Sequence, residues 1–144
     1  MTTFLSVPST GPPFDHTTFS PTGHYLFIRS ILGLPGDGAW LWSGVLGPAN
    51  RTCQMRFFSH MHGRGVGNLT VYIRNKADGT MKDVLNIYGV EVMDVNKWKR
   101  SVVELPSEMD FYVILEATVG VAGHSDIAVD DITFTPECRY YWMD

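Results

Sequence analysis

The chain has 144 residues, which fits one domain with one core, and folding at this size buries about two thirds of the unfolded surface. Hydrophobic residues make up 44% and charged residues 18%, with 14 Gly and 8 Pro spread along the chain, a composition that excludes disorder, collagen and coiled coil. Eleven Lys and Arg against fifteen Asp and Glu leave a net charge of −4, and the one basic cluster is Lys97, Lys99 and Arg100. No nucleic-acid partner is expected from that balance. No apolar run approaches the roughly 18 to 20 residues that cross a bilayer, and the N-terminus has neither a basic start nor a continuous apolar stretch. The reading is a domain of a larger multidomain protein, with no membrane insertion of its own.

In chain order, residues 1–14 are rich in Pro, Gly, Ser and Thr and read as a loose leader, with the folded domain over 15–138 and a short tail over 139–144. From Gly23 onward, short runs of β-branched and aromatic residues recur between Gly, Pro and Asn, and no window carries a 3.6-residue apolar period. Strands are predicted over 24–30, 39–45, 52–61, 68–74, 81–89, 97–104, 110–119 and 126–135. Such spacing, without a βαβ rhythm, indicates an all-β antiparallel sandwich or barrel.

Alternation assigns faces to these strands. Cys53, Met55, Phe57, Ser59 and Met61 form an inward row, and Gln54, Arg56, Phe58, His60 and His62 an outward one. Leu69, Val71 and Ile73 face the core, while Asn68, Thr70, Tyr72 and Arg74 face away. Trp40 and Trp42 share a face, and in a sandwich a core position is the expected one; an exposed pair would instead be a platform for sugar rings. Asp130 falls on the same alternate face as Ala128, Ile132 and Phe134. A carboxylate placed beside a large aromatic needs a metal ion, backbone N–H groups, an Arg or a proton.

Cys53 and Cys138 are too few for a zinc site and lack a redox spacing, so they either pair or remain buried thiols. Asn50-Arg51-Thr52 and Asn68-Leu69-Thr70 fit the N-glycosylation acceptor pattern. An even cysteine count with two acceptor triplets favours an oxidising, extracellular setting. His60 and His62 offer two zinc ligands without a third, and a structural or surface role is the simpler reading. Catalysis has little support: neither G-x-S-x-G nor H-E-x-x-H occurs, and Glu104, Glu108, Asp110 and Glu116 read as a charged rim rather than an acid–base pair. The chain is therefore expected not to be an enzyme.

Taken together, these elements resemble the MAM domain, the extracellular module of meprins, neuropilins and receptor-type protein tyrosine phosphatases. The resemblance runs through Asp15-His16-Thr17, Gly23-His24-Tyr25, the row from Cys53 to Gly63, Val66 to Val71, Trp98, Phe111 to Ala117, and Asp126 to Phe134, closed by Cys138. It implies a jelly roll of two antiparallel sheets, a disulfide between Cys53 and Cys138, and a role in adhesion or receptor assembly through a protein partner, a second copy included. A carbohydrate-binding jelly roll is the competing reading. Jelly rolls with Asp-Asp near the last strand often hold Ca²⁺ against an N-terminal loop, which makes Asp15 and Asp130 the expected ligands of a structural calcium. The family's usual opening cysteine and F-E pair do not precede Asp15, and Ser59 stands where the family has an aromatic residue.

Overall fold

The computed structural model describes residues 11–28, 34–49, 51–62, 67–89, 97–120 and 126–141. Ten strands are present among them: β1 (Leu26–Ile28), β2 (Gly38–Trp42), β3 (Leu46–Gly47), β4 (Cys53–Met61), β5 (Asn68–Asn75), β6 (Met81–Tyr88), β7 (Lys99–Leu105), β8 (Phe111–Thr118), β9 (Ile127–Phe134) and β10 (Arg139–Tyr140). Strands β1, β9, β4 and β7 form one antiparallel sheet in that order. The second sheet runs β10-β3-β8-β5-β6, with β2 also paired to β8. Two such sheets face to face make the antiparallel sandwich that the alternating sequence indicates and the jelly roll that the family resemblance implies.

The inward rows meet in one core. Met55 and Phe57 of β4, Leu69 and Val71 of β5, Phe111 and Val113 of β8, and Ile127 and Val129 of β9 are all buried there. Gly67 shows why a glycine precedes β5: a Cβ on it would strike the Thr118 backbone carbonyl, so only a bare Cα lets β5 start against β8.

Two short strands escaped the sequence reading. β3 pairs Leu46 with Phe111, and β10 returns Arg139 and Tyr140 to Gly47 and Leu46, so the segment expected as a tail closes the edge of a sheet. The leader also holds more than expected, for Pro12 is buried and its carbonyl accepts a hydrogen bond from the Tyr25 hydroxyl at 2.9 Å.

Cys53 and Cys138 are joined, with Cα atoms 4.7 Å apart. Cys53 opens β4 in one sheet and Cys138 directly precedes β10 in the other, so the bond links the two layers across 85 residues of sequence. Closing so long a loop removes about 4 to 5 kcal/mol of unfolded-state entropy on the chain-entropy account. Urea unfolding of the double variant Cys53→Ser, Cys138→Ser should accordingly show a stability lower by about 4 kcal/mol. An unchanged midpoint would mean that the link adds nothing to the packed sheets.

Candidate functional site

The two outer surfaces of the sandwich are treated very differently by the chain. On the four-stranded sheet, β9 carries one extra residue against β4: Arg56 pairs with Thr133 and Phe58 with Asp130. The bulge is built on Asp131, whose φ of 51° lies in the left-handed region that Asp and Asn tolerate best among non-glycine residues. A one-residue slip reverses every later side chain. Ile127 and Val129 point inward before it, and Ile132 and Phe134 pack against the core after it. Asp130 therefore does not share a face with Ile132 and Phe134, as plain alternation predicts; it faces outward.

There the N-terminal loop meets it. Asp130 Oδ2 accepts the His16 amide at 2.9 Å, and the Asp131 carboxylate takes His16 Nδ1 at 2.6 Å and the Thr17 hydroxyl at 2.6 Å. The His16 ring stacks on Phe58 with centroids 3.5 Å apart, and Trp98 stands edge-on to His60 while its indole N–H donates to the Phe14 carbonyl. His60 is thereby only 1% exposed although it lies on the outward row. His60 and His62 sit with ring centroids 6.3 Å apart, part of this covered layer.

Asp15 shapes the loop from within. Its carboxylate accepts the Thr18 amide at 2.8 Å, the Thr18 hydroxyl at 2.7 Å and the Ser20 amide at 2.8 Å, and it is 2% exposed. A methyl group on Gly23 would fall on that carboxyl, which accounts for the glycine. The loop and the last strand thus come together as a calcium site would require, but the contacts named for Asp15 and Asp130 are made by N–H and hydroxyl donors, the surroundings of a bare carboxylate. Among the described residues no group of three or more His, Cys, Asp or Glu is placed to hold a metal.

The outer surface of the six-stranded sheet is open. Trp40 is 51% exposed and Trp42 42%, which overturns their expected place in the core. Ile114 is fully buried beneath Trp42 and Tyr72, its partners on either side. Arg74 lies over the Trp42 ring at 5.6 Å, Tyr112 meets that ring edge-on at 5.6 Å, and Trp40 donates its indole N–H to Glu116. Thr70, Asn86 and Asp83 continue the face as a hydrogen-bonded chain, Thr70 to Asn86 at 3.1 Å and Asn86 to Asp83 at 2.7 Å. Glu116 belongs to this face and Glu104 to the opposite sheet, so the two carboxylates cannot flank one substrate bond. Of the acceptor triplets, Asn68 stands on the open face and Asn50 lies outside the described residues, as does Trp142.

A family model described as MAM domain, meprin/A5/mu, matches residues 3–139. The chain belongs to the MAM domain family. It is 36% identical over 126 residues to human MAM domain-containing protein 2, covering 87% of this chain and 18% of that protein. It is 31% identical over 139 residues to rat MAM domain-containing glycosylphosphatidylinositol anchor protein 1, covering 95% of this chain and 14% of that protein. This MAM domain therefore spans less than a fifth of the curated relatives it matches. Among solved structures it resembles the K3 cleaved adhesin domain of Lys-gingipain from Porphyromonas gingivalis, with a TM-score of 0.54 at 16% identity over 79% of this chain and 76% of that one. A mutant of the family 29 carbohydrate-binding module CBM29-2 gives 0.50 at 13% identity over 78% and 71%. These likenesses establish the sandwich fold.

The loop clamp has a pH signature. The Thr17 hydroxyl and then His16 hold the Asp131 carboxyl below its ordinary value, and the Ser20 amide chiefly does the same for Asp15. Carboxylates lowered in the folded state stabilise above the unfolded value near 3.8 and lose that contribution as pH falls through their lower folded values. The melting temperature should therefore drop steeply in acid below that value. Asp131→Asn, which keeps the left-handed backbone, should melt a few degrees lower at neutral pH and fall less steeply.

Proposed function

We propose that this MAM domain is a non-catalytic extracellular interaction module of a larger secreted or cell-surface protein, binding a protein partner through the outer face of its six-stranded sheet. One observation carries the reading: Trp42, Tyr112 and Arg74 are clustered on the outer face of the six-stranded sheet, while on the opposite face the N-terminal loop covers the aromatic ground at Phe58 and His60. Trp, Tyr and Arg are the residue types in which binding energy concentrates at protein interfaces. The Cys53–Cys138 bond supports an oxidising compartment, and relatives named as glycosylphosphatidylinositol anchor proteins support the cell surface. Adhesion or receptor assembly is the role such a module serves.

A second copy of the domain suits the face, because it carries both signs of charge, Arg74 against Glu116 and Asp83, as a self-complementary two-fold contact requires. Carbohydrate binding is the second reading, favoured by the exposed Trp40 and Trp42 rings, 6.2 Å apart and tilted by 42°, beside the amide and carboxylates of Asn86, Asp83 and Glu116.

Sedimentation of the domain over a range of concentrations tests the first reading. Replacing Trp42 and Arg74 by Ala should weaken association by about tenfold or more, while Arg56→Ala on the other sheet leaves it unchanged. Equal association by wild type and the double variant would sink the proposed face. A glycan array in which binding disappears with Trp40→Ala or Trp42→Ala would favour the sugar reading instead.

A further inference from the structure

The register of the six-stranded sheet arranges its outward side chains in rows. The end row reads Gly38, Thr118, Asn68 and Tyr88 across β2, β8, β5 and β6, and the next reads Trp40, Glu116, Thr70 and Asn86. Asn68 and Thr70, the two defining residues of one acceptor triplet, thus lie on the same face as Trp40, and Asn68 is partly exposed. At ordinary strand spacings, two strands across and two residues along, Asn68 and Trp40 are about 12 Å apart between Cα atoms.

We infer that the first N-acetylglucosamine residues of a glycan on Asn68 lie along the sheet toward β2 and pack against Trp40. Thr118 and Gly38 leave a low shelf on that side of Asn68, whereas Tyr88 stands 42% exposed on the other. A Cβ on Gly38 would make only ordinary contacts, so crowding does not dictate the glycine; its effect is to keep the shelf open. Trp40 is braced by its indole N–H on Glu116, which the Tyr72 hydroxyl approaches at 3.4 Å, and at 51% exposure its ring offers surface to a sugar's C–H groups. The glycan would occupy the Asn68 end of the face and leave Trp42, Tyr112 and Arg74 at the other end for a partner. This inference rests on the extracellular reading given above.

The test uses protein secreted from a eukaryotic host in an Asn50→Gln background, so that Asn68 holds the remaining acceptor triplet. Three forms are compared: intact, trimmed by endoglycosidase to one N-acetylglucosamine, and Asn68→Gln. Mass spectrometry reports occupancy and the state of the cysteines; acrylamide quenching of tryptophan fluorescence and thermal melting report packing. The trimmed form should match the intact one, while Asn68→Gln should be quenched more readily and melt about 3 °C lower. In a Trp40→Ala background the melting difference should vanish. Equal quenching and melting of the glycosylated and Asn68→Gln forms would overturn the inference. An unoccupied Asn68 with the disulfide formed would overturn it too, yet leave the extracellular reading standing; free Cys53 and Cys138 thiols would instead remove that reading itself.

Discussion

The left-handed turn of the backbone at Asp131 fixes where the N-terminal loop can dock on this domain. One extra residue in β9 returns Ile132 and Phe134 to the core and leaves two adjacent carboxylates on the outside. Anions there demand donors, and His16 and Thr17 supply them from more than a hundred residues away in sequence. The loop so held brings His16 onto Phe58, and with Trp98 it keeps His60 from solvent. A bulge is thus the means by which part of one sheet, around Phe58 and His60, acquires a cover.

With the aromatic ground of that sheet covered, the exposed tryptophans lie on the other, and its composition is consistent with the role. Its outward side chains brace one another, Arg74 on Trp42 and Trp40 on Glu116, so their rotamers are largely set before anything binds. Preorganised aromatic and guanidinium groups lose less entropy on association than free ones. The disulfide contributes differently, by restraining the unfolded chain and tying the layers at one end.

The strand pattern was legible because period-two alternation is strong in β4, β5 and β8, where nearly every inward residue is buried. Strands of two residues, β3 and β10, carry no period to detect. The bulge is hidden for the same reason: alternation counts residues and cannot see one being skipped, so it places Asp130 on the wrong side. Trp40 and Trp42 alternate correctly with Ala39 and Leu41, but the pattern alone does not say which of the two rows is inside, and hydrophobicity pointed the wrong way. The Asp15-His16-Thr17 and Asp130-Asp131 elements were both visible as motifs. That they pair through His16 and Thr17, with Asp15 turned into its own loop, needed the backbone.

Hydroxyl-radical footprinting read by mass spectrometry measures the asymmetry of the two faces directly. In the native domain Trp40 and Trp42 should be oxidised rapidly and Phe58 and His60 slowly, and replacing both Asp130 and Asp131 by Ala should raise the rates at Phe58 and His60 while leaving the two tryptophans unchanged. Oxidation of Phe58 as fast as Trp42 in the native protein would contradict the account, because the loop would then leave Phe58 as open as the exposed tryptophans.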